Sequence, residues 1–315
     1  MIELVIPILS LIAGIALLLF CSDKTISLAS DFAKDIGISP FIVGVVVLAA
    51  GTSIPEIANS IISSYAGHGE MNVGNAIGSC LSQITIVLGI LALVGGKAIT
   101  SGRKDIMLLG GCALIAGMMA VLTVEKGGIN PLDAVLLLAA YFILLFITQK
   151  YSVKDYVLTN MPRLDLHSAV QLGIILITIG GVLAGSWLIV NSVIDISQHI
   201  GVPSYILSFF VIALGTSLPE LGVGLAAVKS GKFELIVGNI LGSNIADATI
   251  SMASGPLLFP NVFDAGTAMV GGVYMLVASF IVIGLFAWKT RITRPMGLLF
   301  IFLYLLSFLI IPLLV

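Results

Sequence analysis

The chain has 315 residues, of which 59% are hydrophobic and 10% charged, and its formal net charge is −2. A soluble domain carries about 25% charged residues, so this composition excludes a soluble enzyme and a disordered chain, and the charge gives no case for a nucleic-acid partner. What remains is a polytopic membrane protein with the bilayer as its solvent.

Spans of about 20 apolar residues occur ten times, at about 4–21, 40–65, 71–94, 105–124, 131–149, 169–194, 203–228, 235–258, 266–288 and 295–314. Met1-Ile2-Glu3 lacks the basic segment of a signal peptide, so the first span is read as a retained membrane helix. The first and sixth spans are expected to run on through Lys34 and Gln198. Connections are short, so no soluble module is expected between helices. Cys21, Cys80 and Cys112 all sit in apolar runs and are read as small buried hydrophobes. The histidines fall in loops or at helix ends, which disfavours soft-metal sites.

Thirteen of the 14 Lys and Arg residues lie in the connections after odd-numbered spans; Lys126 is the exception. Positive residues stay on the cytoplasmic side, which predicts ten spans with both termini extracellular, in the cell membrane.

An internal repeat organises the chain. Gly51-Thr52-Ser53-Ile54-Pro55-Glu56 recurs as Gly215-Thr216-Ser217-Leu218-Pro219-Glu220, and Gly74-Asn75-Ala76-Ile77-Gly78-Ser79 as Gly238-Asn239-Ile240-Leu241-Gly242-Ser243. Both copies are offset by 164 residues, as are Asp31 and Asp195. Five spans per half is an odd number, so the second half enters the membrane upside down. The expected fold is all-α: ten transmembrane helices in two inverted five-helix repeats, 1–150 and 165–315, joined by a short cytoplasmic connection at 151–164. Inverted repeats with interrupted helices are secondary-transporter architecture, with the site near the midplane.

The first motif interrupts a helix. Pro55 has no N–H and clashes with the carbonyl of Gly51. The carbonyls so freed are tolerated in a membrane only when buried in protein or lining a wet cavity. A hard cation would use them, together with the Thr52 and Ser53 hydroxyls and the Glu56 carboxylate. Ser53-x-x-Glu56 and Ser217-x-x-Glu220 are also capping boxes. A carboxylate at mid-membrane costs roughly 2.5–3.5 kcal/mol or more, and glutamine would cap without that charge. We read ion binding, with capping geometry aiming the glutamate.

The second motif contains Gly-xxx-Gly, a helix-packing pattern. Beside it runs a polar stripe on one helical face: Asn75, Ser79 and Gln83, mirrored by Asn239, Ser243 and Asp247. Glu56, Glu220 and Asp247 thus become three intramembrane carboxylates with no Lys or Arg near them in sequence.

These two motif pairs resemble the alpha-repeats of the sodium/calcium exchangers, in the calcium/cation antiporter superfamily; the repeats would span about 40–94 and 203–258. The resemblance implies Na⁺/Ca²⁺ exchange by alternating access, with no enzymatic activity, no cofactor and no protein partner, and four adjacent ion sites. It implies that Glu56 and Glu220 are the central Ca²⁺ ligands, that Thr52, Thr216, Ser53, Ser217, Ser79 and Ser243 give further oxygens, and that Ala49 and Ala213 offer carbonyls to Na⁺. Asp247 matches the second-repeat acid. Its counterpart in the family pattern is usually Asn; here it is Gln83, one methylene longer. The proton-coupled branch of the superfamily carries Glu where this chain has Gly78 and Gly242, which weighs against the alternative, a Ca²⁺/H⁺ antiporter.

Overall fold

A computed structural model describes residues 2–35, 53–95, 98–152, 166–229, 231 and 233–314. The fold is nearly all helix. Helix α1 is Ile2–Asp35 and α6 is Leu166–Ile200, the two long helices expected from the sequence. Between them lie α2 (Ile54–Tyr65), α3 (Gly69–Ser82, then Gln83–Val87 and Leu88–Val94), α4 (Arg103–Val124) and α5 (Pro131–Ser152). After α6 come α7 (Ser204–Leu207, Ser208–Ile212 and Ala213–Thr216), α8 (Leu218–Lys229), α9 (Phe233–Ala246, Asp247–Ser251 and Met252–Ser254), α10 (Ala265–Lys289) and α11 (Arg294–Leu314).

Among the described residues, eight helical segments are long and apolar enough to cross a membrane. The chain is a multi-pass membrane protein. The second expected span is described only from Ser53 onward. The eighth, around α9, is interrupted by a π turn and carries Asp247 at its middle.

Three π turns occupy Gln83–Val87, Ser208–Ile212 and Asp247–Ser251. The first and third are separated by 164 residues, the offset of the sequence motifs. Each holds a threonine whose hydroxyl bonds back to a carbonyl four residues earlier: Thr85 to Leu81, and Thr249 to Ile245. Single π turns inside α-helices often mark functional sites.

Two packing units result. Helices α1 and α6 lie along one another, with Gly14 and Gly185 so close that a Cβ on Gly14 would stand 3.0 Å from the Gly185 carbonyl oxygen. Thr25 Oγ1 donates to Thr178 Oγ1 at 2.8 Å across the same pair. The larger apolar core joins α3, α4, α5, α7, α8, α9, α10 and α11. Through it α3 runs against α7: a Cβ on Gly74 would lie 2.8 Å from the Tyr205 carbonyl oxygen, and one on Gly78 2.7 Å from Ala213 Cβ and into the Phe209 carbonyl. The Gly-xxx-Gly motif therefore does in its first copy what helix packing asks.

Two small strand pairs tie the loops. Ile99–Thr100 (β1) pairs antiparallel with Arg291–Ile292 (β4), and Gly128–Ile129 (β2) with Asn261–Val262 (β3). Each pairing joins loops that the charge count assigns to one side. On the second of these sides Lys126 is not a stray charge: its Nζ pairs with Asp133 Oδ1 at 2.6 Å.

Candidate functional site

The helix break expected from Pro55 and Pro219 is seen directly in the second copy. Helix α7 ends at Thr216, Ser217 adopts φ −83°, ψ 3°, and α8 restarts at Leu218. In the first copy Ser53 is the residue before α2, at φ −86°, ψ 7°. The capping box is not made there. Ser53 makes no side-chain cap bond; its backbone oxygen takes the Ile57 N–H at 3.0 Å instead. The Ser53 hydroxyl is buried and makes no hydrogen bond among the described residues. Ala49 and Thr52 lie outside the described residues.

Helices α2 and α8 bring their glutamates inward onto α3 and α9. Ser79 Oγ stands 3.5 Å from Glu56 Oε1, and Ser243 Oγ stands 3.4 Å from Glu220 Oε1. The two contacts are copies at the 164 offset. Around Ser79 gather Thr216 Oγ1 at 3.3 Å and the Ala213 carbonyl oxygen at 3.5 Å. Thr216 Oγ1 in turn donates to Asn75 Oδ1 at 3.2 Å. Ser82 Oγ meets Ser217 Oγ at 3.0 Å, and Asn239 Nδ2 donates to the Glu220 carbonyl at 3.4 Å. Gln83 and Asp247, equivalent positions of the two halves, bond directly, Nε2 to Oδ2, at 2.7 Å.

Every one of these side chains except Asn239 is buried, with Glu56 1% and Glu220 0% exposed. Glu56 Oε2 has no hydrogen-bond partner among the described residues. Glu56 also lies within electrostatic reach of both Glu220 and Asp247. These buried acids lie in a setting where an unmatched charge is costly, so a cation would be favoured among them. Among the described residues no three His, Cys, Asp or Glu side chains stand close enough to hold a metal between them. A cation here must therefore draw on hydroxyl and carbonyl oxygens as well, the hard ligands suited to Ca²⁺.

The family profile described as "Sodium/calcium exchanger protein" matches residues 6–149 and 170–312, which is most of both halves. The chain belongs to the sodium/calcium exchanger family. The exchanger is 33% identical over 297 residues to an uncharacterized membrane protein of Methanocaldococcus jannaschii, covering 93% of this chain and 94% of that one. It is 25% identical to the sodium/calcium exchanger MaX1 of Methanosarcina acetivorans, covering 80% and 83%. Its fold matches a solved structure of the sodium-calcium exchanger NCX_Mj soaked with Na⁺ and Sr²⁺, at TM-score 0.64 and 31% identity, covering 97% and 98% of the two chains.

Five polar residues of the candidate site lie outside the sequence candidates. Asn75 and Asn239 enter the sequence analysis only as part of the polar stripe. Ser82 and Ser251 have no hydroxyl at the equivalent position, where Ala246 and Val87 stand. Asn244 is the counterpart of Cys80, and the repeat therefore hid it.

Proposed function

We infer that the exchanger is a secondary antiporter that moves Na⁺ against Ca²⁺ across the membrane by alternating access. The observation that carries this is the repeated Ser–Glu contact, Ser79 with Glu56 and Ser243 with Glu220, inside a chain of the sodium/calcium exchanger family. Two glutamates balance one Ca²⁺. The same oxygens divided among smaller groups suit Na⁺, so the ions compete for overlapping ligands.

In this reading Glu56 and Glu220 are the shared charged ligands, with Thr52, Thr216, Ser53, Ser217, Ser79 and Ser243 as hydroxyl ligands. Ala49 and Ala213 supply carbonyls to outer Na⁺ positions. The Ala213 carbonyl stands within 3.5 Å of Ser79 Oγ, which supports that assignment. The chain would cross the membrane ten times, as inverted repeats 1–150 and 165–315 around the connection 151–164, with both termini outside the cell membrane. The 164-residue spacing of the π turns at Gln83 and Asp247 supports the repeat.

Emptied of cations, the site would leave buried carboxylates unmatched in the membrane. The unloaded carrier would switch poorly, and exchange would be obligatory. No chemical step is involved, and the family's members are transporters rather than enzymes.

Proton coupling is not favoured. The resemblance places the acids of the proton-coupled branch at positions 78 and 242, and Gly78 has no room for a side chain against the Phe209 carbonyl and Ala213 Cβ. The test is ⁴⁵Ca²⁺ uptake into Na⁺-loaded proteoliposomes, which should require the outward Na⁺ gradient. Uptake at the same rate without Na⁺ inside would refute the reading.

A further inference from the structure

The end of α9 is completed by side chains from the other half of the chain. Leu257 N–H donates to the Ala253 carbonyl at 3.0 Å, so the helical ladder runs on past Ser254. The rung before it is missing, because Pro256 has no N–H to give the Met252 carbonyl. Asn72 of α3 fills the gap: its Nδ2 donates to Met252 O at 3.0 Å. Beside it the Gly255 N–H donates to Ser60 Oγ of α2 at 2.9 Å. The approach is close, since a Cβ on Gly255 would run into the Ser60 carbonyl and the Ser64 hydroxyl. Asn72 and Ser60 are each 1% exposed, so water does not compete for these bonds, and a carbonyl left bare here would be costly. At the 164 offset the seam is different. Gly224 and Ile236 stand where Ser60 and Asn72 do, and Ala92 where Pro256 does. Ala92 keeps its N–H inside the helical segment Leu88–Val94, and the Leu91 side chain fills the hollow at Gly224. That seam is apolar, whereas the one at the end of α9 is hydrogen-bonded.

We propose that Asn72 and Ser60 are positioning residues: by completing the end of α9 they tie it to α3 and α2 and hold Glu56 in register with Ser79. This rests on the exchanger reading and deepens it. Ser60 follows Glu56 by four residues and Asn72 precedes Ser79 by seven, spacings that put each tie on the same helical face as a ligand. The ties stand about 6 Å and about 10 Å along the helix axes from those ligands. Helix α2 has only 12 residues and starts where Ser53 ends the break, so its height and rotation depend on what its far end holds. Neither Asn72 nor Ser60 touches the ion. Each acts through the helix that carries a ligand.

The test uses the full chain in proteoliposomes, with Na⁺-driven ⁴⁵Ca²⁺ uptake measured across Ca²⁺ concentrations. N72A and S60A each remove one neutral hydrogen bond, and each should weaken apparent Ca²⁺ affinity about fivefold while leaving the maximal rate within about twofold. P256A returns an N–H to the Met252 carbonyl. It should spare transport by itself and make Asn72 dispensable, so that N72A/P256A stays within about twofold of P256A. A loss of packing alone would not be repaired by that backbone change. S60A acts at the other bond and should cost the same with or without P256A. If N72A does not fold, N72A/P256A should, giving a monodisperse peak in size-exclusion chromatography; a double variant that also fails to fold counts against the tie. Wild-type affinity in folded N72A and S60A, or an N72A loss undiminished by P256A, overturns the positioning role and leaves the exchanger reading intact. Wild-type uptake indifferent to Na⁺ overturns both.

Discussion

Ser79 on α3 directs its hydroxyl at Glu56 on α2 across 3.5 Å. The copy of this contact, Ser243 to Glu220 at 3.4 Å, gives the two glutamates equivalent settings, and in the proposed exchange they are the two arms of one site. E56Q and E220Q keep size and hydrogen-bonding capacity but each removes one charge. A hydrogen bond to a charged group is worth roughly 1.5–3 kcal/mol, so each change should lower Ca²⁺ affinity by more than about tenfold. Either variant retaining wild-type flux at low Ca²⁺ would remove the glutamates from the site.

The neutral ligands should matter less. S79A and S243A each delete a hydroxyl while leaving the carboxylate, at about 1 kcal/mol. The expected loss of apparent Ca²⁺ affinity is several-fold and similar for the two, because the contacts are copies. Affinity titrations of both variants check it; a large effect in one and none in the other would break the equivalence.

Gly78 should resist any side chain. A methyl group there would sit 2.7 Å from Ala213 Cβ and against the Phe209 backbone, and the neighbour that must move carries a site carbonyl. G78A should lose about 1–3 kcal/mol through overpacking and lose transport with it. Gly111 on α4 has nothing within 4 Å of an added Cβ, so G111A should be tolerated or stabilising by up to about 1 kcal/mol. Thermal unfolding in detergent, beside flux, separates the two.

Orientation can be read from two exposed loop positions. Val262 in β3 is 79% exposed, and Arg291 in β4 is exposed. In a cysteine-free background an impermeant maleimide should label V262C on intact cells and R291C only after permeabilisation. The reverse pattern would invert the topology.

Much of this site was legible because the membrane makes polar residues conspicuous. Glu56, Glu220 and the Asn75–Ser79–Gln83 stripe stand out in apolar runs, and the 164-residue repeat ties each to a partner. Pro219 announced the break at Ser217, and Gly74 and Gly78 announced the close approach to α7. The repeat also misled where the halves differ: Asn244 faces a counterpart, Cys80, with no amide, so its hold on Gln83 had no sequence signal. The π turns at Gln83 and Asp247 were not legible either, since one extra residue in a helical turn leaves the hydrophobic pattern of an all-apolar span unchanged. The capping box failed at Ser53, whose near-helical backbone angles differ from the extended ones a capping residue ordinarily adopts. The loop pairings β1–β4 and β2–β3 involve two residues each, too short for any alternation to register.

The most direct measurement is ⁴⁵Ca²⁺ uptake into proteoliposomes under an imposed Na⁺ gradient, compared with an imposed pH gradient, at controlled membrane potential. The outward Na⁺ gradient should drive Ca²⁺ in and the pH gradient should not. If three Na⁺ leave per Ca²⁺, one net positive charge moves outward per cycle, and the potential contributes roughly 2.3 kcal/mol per 100 mV. An inside-positive potential should therefore speed uptake. Uptake that follows the pH gradient and ignores both Na⁺ and the potential would contradict the account.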